Sequence, residues 1–170
     1  MKNLIFINGT MGVGKTAVSK HLQGMLANCA FLDGDWCWDM NPFVVSDETK
    51  RMVIDNIAHI LNNFLSCTAL ENIVFCWVMH EQEIIDRVVG EIAERDYALR
   101  VFTLSCSRDA LVARIKKDIG SGKRSEESIV SSLERQTHYK NMRSEKVDVS
   151  EISAEQAAAI ICSRIQLASV

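Results

Sequence analysis

Residues 9–16 read "GTMGVGKT" and follow directly on the apolar run "NLIFI" at Asn3–Ile7. They match G-x-x-x-x-G-K-[ST], and the segment behind them, Gly14–Asn28, has the length and pattern of a helix. Strand, glycine-rich turn and helix in that order are the context the motif needs. Backbone N–H groups of a tight loop wrap phosphate oxygens, and the positive end of the helix faces the same anion. Gly9, Thr10, Met11, Gly12, Val13, Gly14 and Ala17 are therefore expected around a nucleoside triphosphate. Lys15 is expected to reach the β- and γ-phosphates, and the Thr16 hydroxyl to hold Mg²⁺.

Outward from this loop, short apolar runs and helical segments alternate to the end of the chain. Strands are expected at Asn3–Ile7, Cys29–Asp33, Asn72–Met79, Arg100–Ser105 and Lys146–Val149. Helices are expected at Gly14–Asn28, Asp47–Cys67, Glu81–Asp96, Arg108–Ile119, Glu126–Arg143 and Ala154–Ala168. Between Asp47 and Cys67, the residues Met52, Ile57, Ile60, Leu61, Phe64 and Leu65 form a stripe of helical period, and Ser46 or Asp47 can cap its start. Ser153 and Gln156 match a capping box before the last helix. Alternation through the whole length implies a three-layer α/β/α arrangement around a parallel sheet of about five strands, with ligands at the carboxyl ends of the strands.

At 170 residues, with one proline and no linker or repeat, the chain is expected to be a single domain spanning 1–170. A formal net charge of −3 disfavours general nucleic-acid binding, and no apolar run approaches a membrane span. The apolar start is too short for a secretory signal. Six cysteines are scattered without a C-x-x-C pair, which reads as reduced thiols in a cytoplasmic protein. No His and Cys cluster has zinc spacing, and His21, His59 and His138 read as helix-surface residues.

A Mg²⁺-dependent triphosphate site of this type needs a carboxylate beyond the loop. The third expected strand, "NIVFCWVMH", offers none before Glu81. The end of the second does, in "FLDGDWCWDMNPF", where Asp33 and Asp35 flank Gly34. Asp33 is expected on the metal side and Asp35 on the side of a second substrate, with Gly34 allowing a tight turn between them. No N/T-K-x-D run is present, so guanine specificity is disfavoured. Ten of the 19 Lys and Arg residues lie between Arg108 and Lys146. A basic helical hairpin there, with a lid around 116–128, would exclude water and neutralise a transferring phosphoryl group. Arg114, Arg124 and Arg135 are the expected phosphate contacts, since arginine's planar fork suits phosphate oxygens.

The phosphate loop, "LDGDW" after the second strand, the L-x-x-R helix at Leu111–Arg114 and the basic lid together resemble the small P-loop kinases. Within that group the chain is similar to the shikimate and gluconate kinases and the antibiotic phosphotransferases. The resemblance implies transfer of the γ-phosphoryl of ATP, with Mg²⁺, to a small molecule. It also implies that the aspartate after the second strand, Asp33 or Asp35, orients or deprotonates the acceptor, and that Arg114 and Arg135 serve the lid. The turn at "DVSEISAEQ" would border the adenine. The glycine-rich turn of shikimate kinases after the third strand is replaced by "WVMHE", and the second lid arginine of adenylate-kinase-like enzymes by Asp118.

The acceptor is expected around 34–70 and at His80. Between Gly34 and His80 lie two Lys or Arg (Lys50, Arg51) against six Asp or Glu, a poor site for a dianion. Trp36, Trp38, Phe43 and His80 suit a neutral or weakly charged organic acceptor offering a hydroxyl, whereas Trp77 reads mainly as core. A nucleoside monophosphate kinase, and a non-catalytic nucleotide-binding regulatory protein, are the alternatives.

Overall fold

The computed structural model describes residues 1–94, 96–122 and 125–167. Five strands, β1 (Lys2–Asn8), β2 (Cys29–Asp33), β3 (Asn72–Cys76), β4 (Tyr97–Ser105) and β5 (Glu145–Asp148), form one parallel sheet in the order β2-β3-β1-β4-β5. Helices α1 (Lys15–Met25), α4 (Arg108–Gly120) and α6 (Ala154–Leu167) cover one face, and α2 (Asp47–Ser66) and α3 (Gln82–Gly90) the other. Helix α5 (Glu127–Gln136) packs back on α4 as a hairpin. This is the three-layer α/β/α arrangement that the alternation implies, and residues 123 and 124 of the expected lid around 116–128 lie outside the described residues.

The central strand explains why the first apolar run shows no period-two pattern. Ile5 and Ile7 enter the core under α1, α4 and α6, while Leu4 and Phe6 enter the core under α2 and α3, and all four are fully buried. A strand covered on both faces needs apolar residues at every position. Phe6 meets Phe75 of β3 edge to face, with ring centroids 4.9 Å apart. Burying each such side chain contributes about 1.5–3 kcal/mol.

Both expected caps are formed. The Ser46 hydroxyl accepts from Thr49 N at the start of α2, while Thr49 Oγ1 accepts from Ser46 N at 2.8 Å. Ser153 and Gln156 make the same reciprocal pair at α6, at 2.9 and 3.1 Å. Other boundaries differ from expectation. Helix α3 stops at Gly90 instead of Asp96, because Asn62 of α2 donates to Glu91 O at 3.1 Å and accepts from Ala93 N at 2.8 Å. These bonds hold the chain extended and carry Ile92 into the core. The expected helix Glu126–Arg143 is broken at Thr137, and a 3-10 turn, His138–Asn141, follows. The break lets Tyr139 and Met142 reach the core beneath α2 and α3.

β3 ends at Cys76 instead of Met79. Past that point the chain is held by the Asn8 side chain, which donates from Nδ2 to Met79 O at 2.8 Å and accepts at Oδ1 from Met79 N at 3.0 Å. Asn8 Oδ1 also accepts from Gly9 N at 2.8 Å. One buried amide thus joins the ends of β1 and β3 to the start of the loop. All six cysteines are free thiols. No helix among the described residues is long and apolar enough to cross a membrane.

Candidate active site

The loop between β1 and α1 lies at the carboxyl end of the central strand, where strand order places a crevice. Gly14 caps α1 in the left-handed conformation (φ 106°) and supplies no side-chain cap to that helix. Its first turn carries no acid. The helix start is therefore left to an anion, as the motif requires. Lys15 folds over the loop, its Nζ donating to Thr10 O at 3.1 Å. The buried Thr10 hydroxyl donates at 2.8 Å to Ser132 O in α5, so the loop is braced against the helix behind the lid.

The two aspartates are separated by environment. Asp33 ends β2, is 6% exposed, and its Oδ2 accepts from the Thr16 hydroxyl at 2.8 Å. Its Oδ1 accepts from Asp35 N at 3.1 Å and caps a 3-10 turn at Gly34–Trp38. Asp35 is exposed and turns toward a cavity on the other side. Gly34 has a different reason from the tight turn expected of it. A Cβ there would fall 2.5 Å from Cγ of Trp77, so glycine is required for the indole to lie against the backbone after β2.

Thr16 and Asp33 are hard oxygen donors side by side at the base of the loop. They suit Mg²⁺, which retains water and takes one or two carboxylates together with phosphate oxygens. Among the described residues no group of three His, Cys, Asp or Glu could hold a metal by itself. Beside Asp33, the Cys76 thiol is pushed up to about 12, chiefly by burial and then by the neighbouring carboxylate. It stays a neutral thiol.

Two cavities flank the loop. The smaller, about 250 Å³, is lined by Val13, Gly14, Val18, Arg114 and the turn Val149–Ala154. Arg114 is half-buried and donates to Val13 O at 3.0 Å and to Val149 O. It thus joins the loop to the β5–α6 turn on the side of this smaller cavity, and it does not line the larger one. Arg124 lies outside the described residues.

The larger cavity, about 660 Å³, reaches the loop at Met11. Trp38, Phe43 and Trp77 form one run of rings on its wall, and Trp36, packed edge to face on Phe31 at 5.4 Å, lines it as well. Trp38 lies 5.9 Å from Phe43 and 6.3 Å from Trp77 between ring centroids. Trp77, read from sequence as mainly core, both packs on the core and lines this cavity. Asp35, His80 and Arg135 also line it, so the expected acceptor residues and one expected lid arginine meet here. Burial holds the His80 imidazole below its ordinary value, with Arg135 and His138 adding to the effect against a raising contribution from Glu81. Two polar atoms of residues on this wall, Trp38 Nε1 and His80 Nδ1, are sealed from solvent without a partner among the described residues.

Sequence reasoning missed Arg87 and Asn8. Lys50, counted in the expected acceptor region, lines the larger cavity, and Arg87 joins it there, so the cavity's cations are not limited to those between Gly34 and His80. Arg87 stands one turn beyond Ile84 on α3, and both face the cavity. A helix that starts at the carboxyl end of β3 must present its first turns to the crevice, and that is the signal by which Arg87 could have been found. The other is Asn8, hidden at the end of an apolar run and bonding a segment 71 residues away.

The whole chain superposes on several solved structures. One is the tunicamycin resistance protein of Deinococcus radiodurans (TM-score 0.72, 18% identity, covering 97% of this chain and 96% of that one). Another is a gluconokinase from Sinorhizobium meliloti 1021 (0.66, 15%, 99% and 98%). A third is the shikimate kinase of Acinetobacter baumannii in complex with shikimate (0.68, 16%, 100% and 96%). At these identities the likeness establishes the P-loop fold. No curated protein sequence matches the chain. A family model described as an AAA domain matches residues 5–145, a span that holds the phosphate loop, the buried Asp33 and the strands β2 to β4, and the chain belongs to this AAA-domain family.

Proposed function

We propose that the protein is an ATP- and Mg²⁺-dependent phosphotransferase that passes the γ-phosphoryl group to a hydroxyl of a small molecule. The observation that carries this reading is the placement of two cavities on opposite flanks of one phosphate loop, the smaller at Val13–Gly14 and the larger at Met11. A hydrolase needs only the first. The similar folds of a gluconokinase and a shikimate kinase support it.

In this reading the adenosine occupies the smaller cavity, and its triphosphate runs along the loop toward the larger one. Lys15 and the backbone of Met11–Lys15 draw charge from the β- and γ-phosphates. Thr16 and Asp33 would hold Mg²⁺, which would supply neutralisation of the phosphate charge. Asp35 orients the acceptor hydroxyl and takes up its proton, and Arg135 reaches the transferring group from α5. Arg114 fixes the loop against the adenine side. Positioning and electrostatic stabilisation carry the rate, and no covalent intermediate on the protein is needed.

A second reading, transfer to the phosphate of a nucleoside monophosphate, is favoured by the presence of Lys50, Arg87 and Arg135 in the larger cavity. ATP consumption across nucleosides, nucleotides, sugars, aminoglycosides and hydroxy acids separates the two. Turnover raised only by nucleoside monophosphates would replace the hydroxyl reading with the second. If no acceptor raises turnover, and Asp35→Asn alters neither basal turnover nor ATP affinity, phosphoryl transfer itself is refuted.

A further inference from the structure

Every side chain on the wall of the larger cavity belongs to one of two chemical groups. Met11, Trp36, Trp38, Phe43, Val45, Ile54, Trp77, Val78 and Ile84 are apolar or aromatic, and the rest are ionisable. Among the described residues, no Ser, Thr, Asn, Gln or Tyr lines it. A polyol or sugar carries a hydroxyl on nearly every carbon, and each loses water on binding at a cost recovered only by a directed hydrogen bond. A nucleobase likewise needs donors and acceptors along its edge, usually from amide or hydroxyl groups. Apart from the indole N–H groups and the His80 imidazole, this wall offers its side-chain contacts as flat apolar faces and charges.

The charges are not evenly matched. Asp35 and Asp39 face Lys50, Arg87 and Arg135. Lys50 lies 3.6 Å from Asp47. The Arg87 side chain makes no ion pair or hydrogen bond with a described residue, although its neighbour Asp86 is paired with Arg143 at 2.9 Å. Arg87 sits on α3, whereas Arg135 reaches the cavity from α5, the helix braced to the phosphate loop through Thr10. Arg135 thereby belongs to the transferring phosphoryl group, which leaves the Arg87 fork for the acceptor itself.

We infer that the acceptor is a flat, apolar or aromatic molecule bearing a carboxylate, with Arg87 as the residue that selects the negative charge and the aromatic wall as the platform for the ring. The inference rests on the larger cavity being the acceptor site. Arg87 is a specificity residue here and touches the acceptor remote from the reacting hydroxyl. The orphaned Trp38 Nε1 and His80 Nδ1 lie in residues of the same wall.

Binding can be measured without transfer, which separates this inference from the proposed activity. Calorimetric titration of the full chain with 2-naphthoate, indole-3-carboxylate, their neutral amides and gluconate gives the test. The carboxylates should bind at least about tenfold more tightly than the amides, with gluconate weakest, and Arg87→Gln should erase the preference by weakening carboxylate binding about tenfold to hundredfold. Amide binding and ATP affinity should be unchanged in Arg87→Gln, and the latter shows that the variant is folded. Equal binding of acids and amides, gluconate binding best, or an Arg87→Gln variant that keeps the preference would each overturn the inference. None of these outcomes bears on whether ATP is turned over, which the acceptor panel decides.

Discussion

The two flanks of the phosphate loop are built on different plans. On the ATP side, side chains are braced to backbone atoms of distant elements: Asn8 to Met79, Thr10 to Ser132 and Arg114 to Val13 and Val149. On the proposed acceptor side the wall includes exposed rings, Trp36 at 58% and Phe43 at 66%, and no ion pair or hydrogen bond joins the Arg87 side chain to a described residue. Triphosphate recognition needs donors held in place before the ligand arrives, since preorganisation is what makes them effective in the transition state. Acceptor recognition needs only complementary surface, and that surface can change without disturbing the loop. The difference separates the part shared by a fold from the part that sets specificity.

The contrast predicts different responses to substitution. Lys15→Ala should lower acceptor-dependent ATP turnover by about 10²–10³-fold, and activity of more than a tenth of the wild type in a coupled ADP assay would break the assignment of the rigid side. Asp35→Asn should reduce kcat by about 10²-fold or more while ATP affinity stays constant; Asp33→Asn should instead raise the Mg²⁺ concentration needed for half-maximal activity. Asn8→Ala strands the buried Gly9 and Met79 backbone groups and should cost roughly 2–5 kcal/mol in urea unfolding, with ATP binding weakened as the loop loosens. Gly34→Ala forces the Trp77 ring aside and should cost about 1–3 kcal/mol, with carboxylate-probe binding affected more than ATP binding.

The smallest effect concerns His80. Burial lowers its pKa in the folded chain, so as pH falls below the ordinary value of 6.5 the unfolded chain takes up a proton first. The stability present above that pH is therefore lost as pH falls from 6.5 through the lower folded value. His80→Gln should flatten this part of the stability profile, and an unchanged acid slope in thermal melts between pH 7 and 5 would remove His80 as its source.

The rigid side was legible because its chemistry is local in sequence. Eight consecutive residues specify a loop, and strand and helix on either side confirm it. The alternation of elements, the caps at Ser46 and Ser153, and the pairing of Asp33 with Thr16 follow from spacing and chemical need. Helix ends were less legible where tertiary contacts override local preference. Asn62 stops α3 from a different helix, and Tyr139 and Met142 break the expected long helix by entering the core. The acceptor wall was legible only in its contiguous piece, Asp35 to Phe43. Arg87 and Lys50 join it through the geometry of two helices, and counting charges between Gly34 and His80 could not find Arg87. Gly34 is instructive in a different way: its place between two aspartates suggested a turn, whereas the requirement comes from an indole 43 positions later in the chain.

The hydrogen bond from the Thr10 hydroxyl to Ser132 O makes the phosphate loop and α5 one mechanical unit. Arg135 lies three positions further along that helix, facing the larger cavity. Under the proposed function, a shift of the loop on binding phosphates would be delivered to a side chain on the acceptor side, and a shift of Arg135 on binding an acceptor would be returned to the loop. Thermodynamic linkage makes the exchange symmetric: the factor by which one ligand alters the affinity of the other is the same in both directions. Thr10→Val, which keeps the shape and removes the hydroxyl, should uncouple the two affinities while leaving each measurable by itself.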